Sequence, residues 1–197
     1  MEILSQVTAL FADIDIRVAH FQLKSGLRCS KGCSTCCPTG DVQTTILEML
    51  PAAHEILFRG EASSWLERIA AQNPPGLCVF YQTHPASEAP GNCEFYTWRP
   101  AVCRLFGYAA VRNSRDKLAL AICKHLKHAD PDSVAAAISL ENEAPSFALY
   151  GTRISGLNPV LGTKLMPINT ALRHAVERLG LRMQMAYGEK LGASTAA

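Results

Sequence analysis

The chain has 197 residues, about half of them hydrophobic and 18% charged, with a net charge of +2. That length fits one domain with a buried core. So small a charge gives no argument for nucleic acid or a membrane surface as partner, and no apolar run reaches the ~20 residues of a membrane span.

Residues 2–24 read as a helix, because Ile3, Val7, Leu10, Ile14, Val18 and Phe21 recur at gaps of three and four. Ser25-Gly26 ends it. The acidic residues Glu2, Asp13 and Asp15 do not suit a signal peptide, so a reducing cytoplasm is expected. Thr45 and Glu48 have capping-box spacing and start a second helix, with Pro51 as a break and Gly60 as the stop. Ser64 and Glu67 repeat that spacing for a third, short helix. Residues 77–81 and 93–96 are β-like, joined by a turn-rich loop. Arg99-Pro100 opens a short helix carrying Cys103, Arg104 and Leu105. Residues 108–111 and 118–122 form a hairpin that delivers Cys123. Asp130-Pro131 caps a further helix. After Pro145 a loop containing Gly151, Gly156, Pro159 and Gly162 is expected, and Asn169 can cap a last helix. The fold class is therefore mainly α with small β-hairpins: one domain organised around a cysteine-bound metal core. Its parts are a scaffold helix (1–28), a cysteine-cluster region (29–128) and a helical region (129–197), with the first helix and the C-terminal helices packed together as scaffold.

The chemistry lies in Cys29-Ser-Lys-Gly-Cys33-Ser-Thr-Cys36-Cys37 and in Cys78, Cys93, Cys103 and Cys123, the eight cysteines of the chain. Thiolates are soft donors that favour zinc, iron and iron–sulfur clusters. In a reducing compartment such density argues for metal over disulfides, and the adjacent Cys36 and Cys37 would bridge only through a strained ring. Eight thiolates can make two four-ligand sites, one iron–sulfur cluster with ligands to spare, or a polynuclear site with bridging thiolates. The spacing of Cys29, Cys33 and Cys36 also matches radical S-adenosylmethionine enzymes, but Thr35 replaces their usual aromatic residue and their strand–helix alternation is missing. Arg99 and Arg104 flank Cys103 and can donate hydrogen bonds to cofactor thiolates, or pair with carboxylates. His125 and His128 follow Cys123 closely enough to be further ligand candidates.

These residues resemble the bacterial cysteine-cluster (CxxCxxCC) proteins with a zinc- or iron-chelating domain. The signature of that family is a compact cluster ending in two adjacent cysteines, then Cys-x-Phe-Leu, then Cys-x-x-Tyr-x-x-Arg-Pro-x-x-Cys-Arg, and a last cysteine. Here stand Cys29 to Cys37, then Cys78-Val-Phe-Tyr81, then Cys93-Glu-Phe-Tyr96-Thr-Trp-Arg99-Pro100-Ala-Val-Cys103-Arg104, and finally Cys123. The first gap departs from the pattern, with three residues instead of two between Cys29 and Cys33. The resemblance implies metal chelation by the eight cysteines without fixing a reaction. A similar cysteine pattern in flagellin lysine methylases adds an enzyme to the readings. Two functions follow: iron, including an iron–sulfur cluster, in a redox or catalytic role with a protein or substrate partner not specified; or closed zinc sites in a structural interaction module. The number of thiols tilts the choice to iron.

Overall fold

The computed structural model describes residues 2–29, 37–38, 42–72, 76–83 and 91–194. Cys33, Cys36 and most of the loop between Gln82 and Asn92 lie outside them. Helix α1 (Glu2–Ser25) buries the expected stripe from Val7 to Phe21. It stops at Gly26, which takes the left-handed φ of +74° that follows many helix ends.

Strand β1 (Gln43–Thr44) leads into α2 (Ile46–Phe58), whose capping box between Thr45 and Glu48 is formed as expected. Pro51 does not break α2. It lies inside a continuous helix whose Leu47, Met49, Leu50, Ala52, Ala53 and Ile56 are all buried. Burial on that scale outweighs the ~3 kcal/mol cost of an interior proline. Helix α3 (Ala62–Ala70) starts earlier than expected, so Ser64 lies inside it and caps nothing. Glu61 precedes the helix and accepts a hydrogen bond from the Trp65 indole at 3.0 Å.

The β-like stretches shrink to β2 (Tyr81–Gln82) and β3 (Asn92–Cys93), an antiparallel pair with Tyr81 opposite Cys93. A turn closed by Tyr81 N–H donating to the Cys78 carbonyl, and a single 3-10 turn at Tyr96–Trp98, take the flanking residues out of the ladder. Helix α4 (Ala101–Leu105) begins directly after Pro100. The hairpin of β4 (Ala110–Arg112) and β5 (Leu118–Leu120) forms as expected, closed by Asn113, whose Oδ1 accepts from Arg115 and Lys117 N–H. Helices α5 (Lys124–Ala129) and α6 (Pro131–Ser139) follow, the second capped by Asp130.

The loop expected after Pro145 is instead helix α7 (Phe147–Leu157), capped by Ser146, and then the single turn α8 (Pro159–Gly162), capped by Asn158. Gly151 and Gly156 cost α7 about 1 kcal/mol each in propensity. Burial of Tyr150 and Ile154 on its inner face more than offsets that. Strand β6 (Met166–Pro167) pairs antiparallel with β1 and hands over to the long α9 (Ile168–Ser194). Helix α9 packs along α2 through Ala171, Leu172, Ala175 and Val176, while α1 lies against α2, α4, α6 and α7. The scaffold thus pairs α1 with α6 and α7 as expected, but seats the last helix on α2. Among the described residues no helix is long and apolar enough to cross a membrane.

Candidate metal centre

Six cysteines fall within the described residues, and all of them line one cavity of about 320 Å³: Cys29, Cys37, Cys78, Cys93, Cys103 and Cys123. They come from positions 29 to 123, Cys93 and Cys103 from β3 and α4 and the others from the connecting segments, so their meeting is a product of the fold. Cys29, Cys78, Cys93, Cys103 and Cys123 are carried on backbone held by a hydrogen bond or a strand pairing.

Cys29 follows α1 after the fully buried Leu27, and its N–H donates to the Tyr108 hydroxyl at 2.7 Å. Burial, and next the charge of Cys29, push the Tyr108 hydroxyl up to about 12, so it stays protonated at neutral pH. Its further hydrogen-bond partner is the Gln22 side chain on α1.

Cys78 is nearly fully buried. Asn169, in the first turn of α9, fixes the chain on either side of it. The Asn169 Oδ1 accepts from Val79 N–H at 2.9 Å, and its Nδ2 donates to the Leu77 carbonyl at 2.8 Å and to Gln72 at 2.7 Å. Asn169 therefore clamps the loop that carries Cys78 and does not cap α9. Cys93 stands opposite Tyr81 in the β2–β3 pair. Behind this pair Trp65, Phe80 and Phe95 form an aromatic cluster with ring centroids 4.8–5.3 Å apart. Gly91, just before β3, is a place where only glycine fits, since a Cβ there would stand 2.0 Å from the Gln82 carbonyl oxygen.

Cys103 rides on α4, and α4 is anchored at both ends. At its start, Ala101 N–H donates to Glu48 Oε1 at 3.1 Å. The other oxygen of this buried carboxylate accepts from Thr45 N–H at 3.1 Å and from the Thr45 hydroxyl at 2.8 Å. Glu48 thus serves the first turns of two helices at once. Near its end, Arg104 is only 5% exposed. Its guanidinium donates to the carbonyls of Arg99 and Thr97 and to the Asp15 carboxylate on α1, and lies over the Phe11 ring at 4.6 Å. Burial lowers the Arg104 pKa, and the Asp15 carboxylate opposes that shift. Cys123 immediately precedes α5, where its carbonyl accepts from Lys127 N–H at 3.1 Å.

The two arginines therefore occupy different situations. Both line the cavity, but Arg104 is committed to holding the 97–99 backbone and α1. Arg99 stacks on the Tyr96 ring at 3.8 Å, donates through Nη1 to the Tyr96 carbonyl at 2.9 Å, and stands 3.8 Å from Asp15 through Nη2. Its Nε–H is buried and has no hydrogen-bond acceptor among the described residues. His125 and His128 are exposed and do not line the cavity.

Among the described residues no three cysteine, histidine, aspartate or glutamate side chains already stand as a ligand set around one point. The cysteines ring a volume, a geometry suited to soft metal ions drawn in between several sulfurs. The donor set fits zinc or iron: cysteine sulfurs on the walls, which would bind as thiolates, with two guanidinium groups, partly balanced by the Asp15 carboxylate, that would offset their negative charge. Tyr108, Asn169, Asp15 and the second bond of Glu48 carry no signal in the local sequence; each acts on residues at least 50 positions away.

No curated protein and no solved structure matches this chain. Residues 28–128, just over half of the chain and the span that holds all eight cysteines, match the family model CxxCxxCC, described as "Putative zinc- or iron-chelating domain". The cysteine-lined cavity is formed mainly by that matched span, with Asp15, Val18, Gln22 and Ile168 added from outside it, and the chain belongs to the CxxCxxCC family of zinc- or iron-chelating domains.

Proposed function

We propose that the chain holds iron through its cysteines and uses the centre in a redox or catalytic role. The observation that carries this reading is the convergence of six cysteines, scattered from 29 to 123, on one cavity. A lone structural zinc needs only four ligands around a closed tetrahedron. Here more sulfurs surround a volume that reaches the lower end of the ~300–1,000 Å³ typical of small-molecule sites. Polar groups that are no ligands of choice for zinc, among them Gln22, Tyr96 and Arg99, line the same cavity. Iron–thiolate chemistry, with or without sulfide, would supply electron transfer or an exchangeable coordination position there. Arg99 and Arg104 would offset thiolate charge, and the thiolates of Cys29, Cys37, Cys78, Cys93, Cys103 and Cys123, together with Cys33 and Cys36, would form the ligand pool.

The test is metal analysis with a visible absorption spectrum on protein purified without oxygen. The reading expects iron and visible thiolate-to-iron absorption, with acid-labile sulfide if a cluster is present. Zinc at about two per chain and no colour would overturn it and leave closed tetrathiolate sites in an interaction module.

A further inference from the structure

Arg99 presents a buried donor that has no acceptor among the described residues, and it does so at the wall of the cysteine-lined cavity. A buried N–H left unpaired costs about 1–3 kcal/mol, more on a charged group, so such a donor calls for an occupant that accepts it. The described cysteine sulfurs are not that acceptor, since none of them takes the Nε–H. The surrounding charge favours an anion. Two guanidinium groups, Arg99 and Arg104, share the single carboxylate of Asp15. Each nitrogen of the Arg104 guanidinium already has a protein acceptor, whereas the Arg99 Nε has none among the described residues. Stacking on Tyr96 and the bond to the Tyr96 carbonyl fix the guanidinium plane, which orients Nε.

We infer that the Nε–H of Arg99 holds a non-protein anion in the cysteine-lined cavity, beside the metal. This rests on the metal-binding reading above. Two sources share that chemistry: sulfide belonging to an iron–sulfur centre, or a small exogenous anion exchanging at the metal. A charge-assisted hydrogen bond in a buried site is worth roughly a tenfold or greater change in anion affinity.

The experiment uses the full chain loaded with cobalt(II), whose visible spectrum reports its ligands, and titrates it with azide. In parallel, the anaerobically purified iron form is assayed for acid-labile sulfide. Both are repeated on R99Q and R99K, with circular dichroism to confirm folding. An exogenous anion site gives a saturable azide response in the unmodified protein that weakens about tenfold or more in R99Q and is only partly restored in R99K, which keeps charge but not the planar donor. A sulfide site gives no azide response but shows acid-labile sulfide that R99Q loses while retaining thiolate-bound iron. If cobalt binds, azide leaves the spectrum unchanged and sulfide is absent, the inference is overturned and metal binding stands. If the chain takes up no metal, both are overturned. An azide response or a sulfide content that folded R99Q or R99K leaves unchanged from the unmodified protein also overturns the inference.

Discussion

Glu48 is the residue whose loss should reach furthest, because one buried carboxylate ties two helices together. Its Oε2 completes the capping box of α2 through Thr45, and its Oε1 accepts from Ala101 N–H at the start of α4, the helix that carries Cys103. Glu48→Ala removes three hydrogen bonds to an acceptor that is 5% exposed and strands two backbone N–H groups. At ~1–3 kcal/mol for each stranded group, plus the cavity left by the side chain, the expected loss is about 3–5 kcal/mol. For a chain of this size that lowers the melting temperature by roughly 10 °C. Glu48→Gln keeps the volume but turns an NH2 toward one donor pair, so about half that loss is expected. Thermal unfolding followed by circular dichroism, with and without added zinc, measures both. The metal-induced rise in melting temperature should also shrink in Glu48→Ala, since α4 no longer holds Cys103 in place. A loss under about 1 kcal/mol would refute the view that Glu48 joins the two helices.

Asn169→Ala should cost about 1–3 kcal/mol and weaken metal binding, because it frees the backbone on both sides of Cys78; competition with a chromogenic chelator reads the affinity. Cys103→Ser should lower metal content, checked by elemental analysis, with a serine hydroxyl too hard and too basic to replace a thiolate. Tyr150, buried and bonded to Asp13, is pushed up to about 12 by burial first and by the Asp13 carboxylate second. The folded chain then keeps a proton that the unfolded chain loses near pH 10, so this contribution is complete below pH 10 and is lost as pH rises to about 12. Alkaline denaturation of Tyr150→Phe against the unmodified protein should show the variant falling less steeply across that window. Asp13 is held below its ordinary carboxylate range, chiefly by the hydrogen bond from Arg153, so Asp13→Asn should lose stability at neutral pH and converge with the unmodified protein as acid protonates Asp13.

How far the sequence could be read follows from how local each cause is. The stripe of α1, the capping box at Thr45, the proline before α4, the 113–116 turn and the Asp130 cap are each written within a few neighbouring residues, and each stands as expected. Pro51 and the glycines of α7 misled because propensity is local whereas burial is not: Met49, Ile56, Tyr150 and Ile154 meet partners far along the chain. The cysteines announced a metal by type and spacing. Their common cavity, and the division of labour between Arg99 and Arg104, depend on where α1 and Asp15 sit after folding. Asn169 was misplaced for the same reason, because a cap-forming residue beside a helix start gives no hint of a loop brought from 77–79.

The way the cysteines are held bears on what metal removal will do. In small zinc modules the metal organises a chain that has little core of its own, and binding energy is folding energy. Here four of the described cysteine-bearing segments are fixed by contacts that involve no metal: Tyr108 to Cys29, Asn169 around Cys78, the Tyr81–Cys93 pairing, Glu48 and Asp15 on either end of α4. The α2–α9 packing and the Trp65, Phe80 and Phe95 cluster supply apolar burial independently. Chelation should therefore lower the melting temperature without abolishing the cooperative transition, and the metal-free chain should keep its helical circular dichroism. Binding must still displace thiol protons, so affinity should rise with pH until the thiols have ionised. Loss of the cooperative transition on chelation would mean that the metal builds the scaffold; its survival would mean that the scaffold presents the sulfurs in advance, as a centre that exchanges ligands or electrons without unfolding requires.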